Sequence, residues 1–188
     1  TPASIDDVDI TVDTAATPVN PGDPVPVLDP ATGVVSVPAG TPADTYTIAY
    51  TICEELNPTN CDPATITVTV DPAPIDAVAE TFPSINGSDG DTTASVLTSD
   101  TLNGVAVIPG EVTLTVDAIL DPSDNPTTDI SVNPDGTIVV PAGTPAGDYD
   151  VTYTICENLN PTNCDQVTET VTVTAATILA EDDTYAGV

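Results

Sequence analysis

Apolar and polar residues alternate from Tyr46 to Cys53, with Tyr46, Ile48, Tyr50 and Ile52 on one side and Thr47, Ala49, Thr51 and Cys53 on the other. A period of two marks a half-buried β-strand, because successive side chains point to opposite faces. The Tyr/Ile side is the expected core face, which puts Cys53 on the outer face at the strand's end. The run Ala64–Val70 repeats the pattern, with Ile66, Val68 and Val70 inward and Thr65, Thr67 and Thr69 outward. Cys61 shares the outward parity if that strand is regular back to it. The two runs predict a hairpin whose seven-residue loop lies between Cys53 and Cys61.

The same pattern returns at a constant shift of 103. Between Val37–Val70 and Val140–Val173, 25 of 34 positions are identical, and Tyr149–Cys156 and Val167–Val173 repeat the two strands. The register continues past the second strand, where Ala77, Glu80, Thr81 and Phe82 answer to Ala180, Asp183, Thr184 and Tyr185. Upstream, Thr11-Val12-Asp13 matches Thr115-Val116-Asp117 at a shift of 104. A period this long is that of whole domains joined in tandem rather than of a solenoid. The expected organisation is the later part of one repeat over residues 1–73, a complete repeat over 74–176, and the opening of a third over 177–188. The linkers Asp71-Pro72-Ala73-Pro74 and Thr174-Ala175-Ala176-Thr177 are short, and proline stiffens the first.

Within the complete repeat, strands are expected near Ala77–Phe82, Ser95–Leu97, Val105–Ile108, Val112–Ile119, Ile130–Val132, Thr137–Val140, Tyr149–Cys156 and Val167–Val173. Asn133-Pro134-Asp135-Gly136 is a turn signal, with Gly at the position that needs positive φ, and predicts a hairpin between the fifth and sixth of these. Seven or eight short strands in about 100 residues define an all-β chain of tandem immunoglobulin-like β-sandwich repeats. Tyr46 and Tyr149, opening the penultimate strand after a Pro-Ala-Gly loop, stand where a tyrosine corner would sit. Glu169 breaks the pattern by occupying the inward place that Ile66 holds in the first repeat. It lies at a frayed edge or faces a cation.

Composition supports the β reading and narrows the chemistry. There are 33 Thr, with Val and Ile the main apolar residues, only one Phe, and no Trp or Met. Thirty acids stand against no Lys, Arg or His, a net charge of −30. Nucleic-acid phosphates therefore find no basic partner. A Ser-His-Asp triad, a Schiff-base lysine and a lysine isopeptide crosslink are all excluded. The acids form a solvated surface that keeps neighbouring molecules apart, or they carry bound calcium. No apolar run approaches the ~18 residues of a membrane span, so membrane insertion is not expected. With neither initiator Met nor signal peptide, the chain reads as an internal stretch of a longer protein.

Four cysteines allow three pairings. Pairing within each repeat, Cys53 with Cys61 and Cys156 with Cys164, is favoured because each repeat must fold alone. The rival use, zinc, lacks further ligands and has the wrong spacing. Disulfides point to an extracellular, oxidising compartment. Calcium needs six to eight oxygens from clustered acids and carbonyls. Three clusters are candidates: Asp6 and Asp7 with Asp9, Asp89 with Asp91, and Glu181, Asp182 and Asp183. None matches an EF-hand loop. Paired carboxylates can hydrolyse glycosides, but acids spread over every loop, with few aromatic residues, do not mark a substrate cleft, and no enzyme activity is expected. Asn86-Gly87-Ser88 has the form of an N-glycosylation triplet.

The run Gly143-Thr-Pro-Ala-Gly-Asp-Tyr149 through Cys156-Glu-Asn-Leu-Asn-Pro-Thr-Asn-Cys164-Asp, ending in Val-Thr-Val-Thr, resembles the repeats of giant surface adhesins of gliding bacteria, the SprB-type gliding-motility adhesins and related type IX-secreted proteins. Ser95–Gly104 and Ala180–Tyr185 resemble the openings of such repeats. The resemblance covers essentially the whole chain and is specific for the repeat type. It implies export, attachment to the cell surface and a long filament used in attachment and gliding. Thr14, Thr92 and Thr101 stand in Asp-Thr triplets that resemble the O-glycosylation signal of gliding-bacteria relatives. The expected partners are neighbouring repeats of the same chain and, in an alternative reading as a calcium-dependent binding module, surface polysaccharide.

Overall fold

The computed structural model describes residues 4–184, and these form strands, turns and one short 3-10 turn at Ile5–Asp7. The chain divides into two compact units, one ending at Pro72 and the other beginning at Ala73.

Unit 1 contains β1 (Val8–Thr14), β2 (Val27–Leu28), β3 (Val35–Ser36), β4 (Asp44–Glu54) and β5 (Asn57–Val70). An antiparallel sheet β1-β4-β5 packs with the small β2-β3 hairpin. Tyr46 and Ile48 are buried with Ala16 and Leu28, while Ile10, Val12, Tyr50, Ile66, Val68 and Val70 are only half-buried.

Unit 2 contains β6 (Ile75–Asp76), β7 (Ile85–Asn86), β8 (Asp91–Ser95), β9 (Thr101–Leu102), β10 (Val105–Ala106), β11 (Val112–Leu120), β12 (Ser131–Val132), β13 (Thr137–Val140), β14 (Gly147–Glu157) and β15 (Cys164–Thr174). One sheet runs β11-β14-β15-β7, with β7 parallel to β15; the others run β12-β13-β8 and β10-β9-β6. Inward side chains of the first two sheets meet in one core. Tyr149, Val151, Tyr153, Ile155, Val171 and Val173 come from one, and Ile138 and Val140 from the other, with Val96 and Ile130 beside it. This is the expected immunoglobulin-like sandwich.

The alternation sets the burial as read. Tyr149, Val151, Tyr153 and Ile155 are buried, and the intervening Asp150, Thr152, Thr154 and Cys156 are not. Both corner tyrosines close on the loop before them. The Tyr46 hydroxyl donates to Pro42 O at 2.8 Å and the Tyr149 hydroxyl to Pro145 O at 3.1 Å. The Asn133–Gly136 turn forms, with Gly136 at φ 82° and its N–H donating to Asn133 O.

Three expectations change. No strand forms over Ala77–Phe82, because the amides of this segment are taken by side chains, as described below. The strand expected at Ser95–Leu97 lies earlier, at Asp91–Ser95, and β7 was not foreseen. Asp89-Gly90-Asp91 looks like loop, yet a Cβ at Gly90 would lie 2.6 Å from Val140 O. The glycine lets β8 run beside β13. Finally, the two Cys hairpins do not share one loop. In unit 2 the loop is Asn158–Asn163. In unit 1 Glu54 pairs with Asn57, so the chain reverses at Glu55-Leu56 and the three residues before Cys61 are extra on β5. Asn158 explains the difference. Its amide donates to Gly110 O at 2.8 Å and accepts from the Thr113 hydroxyl at 2.7 Å. Glu55, at the same place in unit 1, has no side-chain donor. Glu54 also receives the amide of Asn57 at 2.7 Å, besides that of Asn60 at 3.0 Å, the counterpart of the Asn163–Glu157 bond in unit 2.

Candidate functional site

In unit 2 the lead-in segment, Ala73–Glu80, meets the disulfide-closed hairpin. Cys156 and Cys164 stand directly opposite each other in the β14–β15 ladder, with Cα atoms 4.1 Å apart, and are bonded. Cys53 and Cys61 are bonded with the same separation. Beyond the disulfide, Asn163 reaches back. Its amide donates to Ala73 O at 2.7 Å and to the Glu157 carboxylate at 2.8 Å. The hairpin that closes the unit thus also holds the chain that leads into it.

The next residues are held in an unusual way. Ile75 and Asp76 pair with β9. Three backbone N–H groups that follow then donate to three carboxylates: Ala77 to Asp165 at 2.8 Å, Val78 to Asp100 at 2.8 Å, and Glu80 to both oxygens of Glu169 at 2.8 and 3.1 Å. Carboxylates replace the carbonyls of a neighbouring strand. Such a bond is strengthened wherever the accepting carboxylate is ionised. Glu80 in turn accepts the Ser99 N–H, which ties the segment to the turn before β9.

Two of these carboxylates are fully buried, Asp100 and Glu169, each at 0% exposure. No cation can neutralise them from within a chain that has no basic side chain. Burial pushes Glu169 up to about 7, and the neighbouring Glu80 and Asp100 carboxylates add to the rise against the pull of the Glu80 N–H. Burial likewise raises Asp100, opposed by its bonds from Val78 and Tyr153. The Tyr153 hydroxyl lies between them, buried, 2.9 Å from Val96 O and 3.1 and 3.2 Å from the Asp100 oxygens. Burial and the Asp100 charge hold its proton on. Glu169 is therefore at no frayed edge; its inward position is filled by a buried contact to a backbone amide.

An open groove of about 690 Å³ is lined by Ala73, Leu102, Val105, Ile108, Glu157 and Leu159, among others. Val105 and Ile108 are largely exposed.

The three acidic clusters read from the sequence lie elsewhere. Asp6 and Asp7 are in the 3-10 turn, and Asp9 is in β1 opposite Cys53. Asp89 is in the turn after β7, and Asp91 opens β8, where its carboxylate accepts the Thr92 N–H at 2.8 Å. Glu181, Asp182 and Asp183 are exposed in the segment after β15. Among the described residues, no three acidic or thiol side chains converge closely enough to hold a metal ion. Of the candidate modification sites, Thr14 and Thr92 are exposed, whereas Thr101 is half-buried in β9 between β6 and β10. Tyr185 lies outside the described residues.

Sequence reasoning found Glu169 as an anomaly but not its partners. Asp100 sits in a Thr-Ser-Asp-Thr run that reads as a polar loop, and Asp165 is one acid among thirty. Only the inward parity of Glu169 signalled that something buried must answer it.

The fold and this cluster define a disulfide-closed, all-β tandem module. No protein-family model matches the chain. No curated protein sequence matches it. Among solved structures, human protocadherin-24 EC1-2 superposes with a TM-score of 0.40 at 18% identity, over 90% of this chain and 82% of that one. The human desmocollin-1 ectodomain gives 0.39 at 12% identity, over 90% of this chain and 33% of that one. A SusE-like surface-located polysaccharide-binding protein from the heparin utilisation locus of Bacteroides thetaiotaomicron gives 0.33 at 9% identity, over 95% and 82%.

Proposed function

We propose that the chain is a structural stalk segment of a very long extracellular, cell-surface adhesin, of the kind used in attachment and gliding motility. The observation that carries this reading is the repeat itself: one disulfide-closed hairpin and tyrosine corner, occurring twice at a spacing of 103 residues, in two separate units. Work of this kind is mechanical, without catalysis: span distance, resist pulling and resist proteases. Each hairpin is cross-linked, and the lead-in segment of unit 2 is bonded to its own hairpin. The acidic surface keeps neighbouring filaments apart. With no Lys or Arg, trypsin has nothing to cut even in the unfolded chain.

Single-molecule stretching tests the reading. Units opened under force are expected to release chain in discrete steps. Each step should lengthen by about 22–25 Å once its disulfide is reduced, the reach of the eight residue steps between the cysteines at roughly 3.3–3.6 Å each, less the 4.1 Å that the cross-link already spans. Smooth extension without steps would contradict the stalk. Glycan-array binding that a chelator abolishes would replace it with the calcium-dependent polysaccharide-binding module.

A further inference from the structure

The Asp100–Tyr153–Glu169 cluster has one more consequence, carried by unit 2 alone and independent of what the filament binds. The Tyr153 hydroxyl has one proton and faces two kinds of acceptor, the Val96 carbonyl at 2.9 Å and the Asp100 carboxyl at 3.1 Å. If Asp100 is ionised, the two compete for that proton, and the loser faces bare lone pairs inside the core. If the carboxyl pair carries a proton, Asp100 can donate to the Tyr153 oxygen while Tyr153 donates to Val96 O. Asp100 still accepts the Val78 N–H on its other oxygen. Every polar atom is then matched. Two carboxylates buried near one another without a cation also resist ionising together.

We propose that this cluster is a proton-operated latch: one proton held on the Asp100/Glu169 pair keeps the lead-in residues Ala77–Glu80 bonded to the body of unit 2, and loss of that proton releases them.

The charged and titratable groups around Glu169 are Glu80 from the lead-in segment, Asp100 before β9 and Tyr153 from β14; Asp165 on β15 faces Asp100. All are acids or a phenol, so none can compensate a second negative charge. The direction in pH follows. A carboxyl raised from 4.5 to about 7 in the folded unit favours folding fully below its unfolded value. That contribution is lost as pH rises through the folded value. The latch should therefore be closed at pH 5–6 and loosen above about 7. Lowering the pH also relieves general repulsion in so acidic a chain, so the test must separate the two effects.

Hydrogen exchange of the Val78 and Glu80 amides does so when corrected for intrinsic pH dependence. In the wild-type chain their protection is expected to fall at least about tenfold between pH 6 and 8.5. In the double variant Asp100→Asn/Glu169→Gln, whose amides keep a carbonyl acceptor and a donor at each place but cannot ionise, it should change less than about twofold. Equal falls in both chains, or none in the wild type, would overturn the proposal. Carbon-13 carboxyl titration of the wild type needs no variant. One of Asp100 and Glu169 should titrate above about pH 6, and midpoints for both below about 5 would also overturn it.

Discussion

Ile52 and Ile155 sit at the same place in strands that share the sequence Tyr-Thr-Ile-Cys-Glu, yet Ile155 is fully buried and Ile52 only half-buried. The two hairpins have the same ladder, the same cross-link and the same tyrosine corner. What differs is what lies against them. Unit 2 lays β8, β12, β13 and the lead-in segment over its hairpin. Residues 74–103 supply much of that cover in unit 2. Local structure is thus set within the hairpin, whereas burial is set by the partner layer. At position 66/169 the residues themselves differ: Glu169 accepts the Glu80 N–H, and unit 1 carries Ile66.

This contrast can be broken or sharpened by paired substitutions, read as urea-unfolding free energies of each unit. The largest expected effect is at the core. Ile155→Ala should destabilise unit 2 by about 2–5 kcal/mol, the range for deleting a fully buried aliphatic side chain. Ile52→Ala should cost unit 1 less than about half of that, since less of its surface leaves water. Equal costs would mean that unit 1 has a closed core after all. Next come the disulfides. Replacing both cysteines of either pair by Ser should cost about 2–3 kcal/mol through the entropy of the short ring. Here the two units should agree, because ring size and geometry are shared. The smallest effect is at the corner. Tyr149→Phe and Tyr46→Phe should each lose about 1 kcal/mol, one hydrogen bond to a proline carbonyl. A clear difference between the two would show that the corner depends on burial rather than on the local loop.

The same division explains what could be read from the chain. Strand parity, the Cys53–Cys61 and Cys156–Cys164 pairs, the Asn133–Gly136 turn and the tyrosine corners follow from residues close in sequence, and all were legible. The lead-in segment was not. Ala77–Phe82 was read as a strand, but its amide partners, Asp100, Asp165 and Glu169, lie 22 to 89 residues away. A carboxylate that accepts a backbone N–H leaves no periodic trace. The unit 1 loop was misjudged for a related reason. Unit 1 has Glu55 where Asn158 tethers the unit 2 loop to Gly110 and Thr113, and there Glu54 receives Asn57 as well.

The most direct test is native-state hydrogen exchange, resolved by residue, on the chain of residues 1–188. The account predicts that amides of Tyr149–Ile155 outlast those of their counterparts Tyr46–Ile52 by at least about tenfold at the same pH, because exchange from a fully buried ladder requires opening of the whole unit. Equal protection of the two hairpins would contradict the claim that the covering layer, and not the repeated sequence, sets their stability.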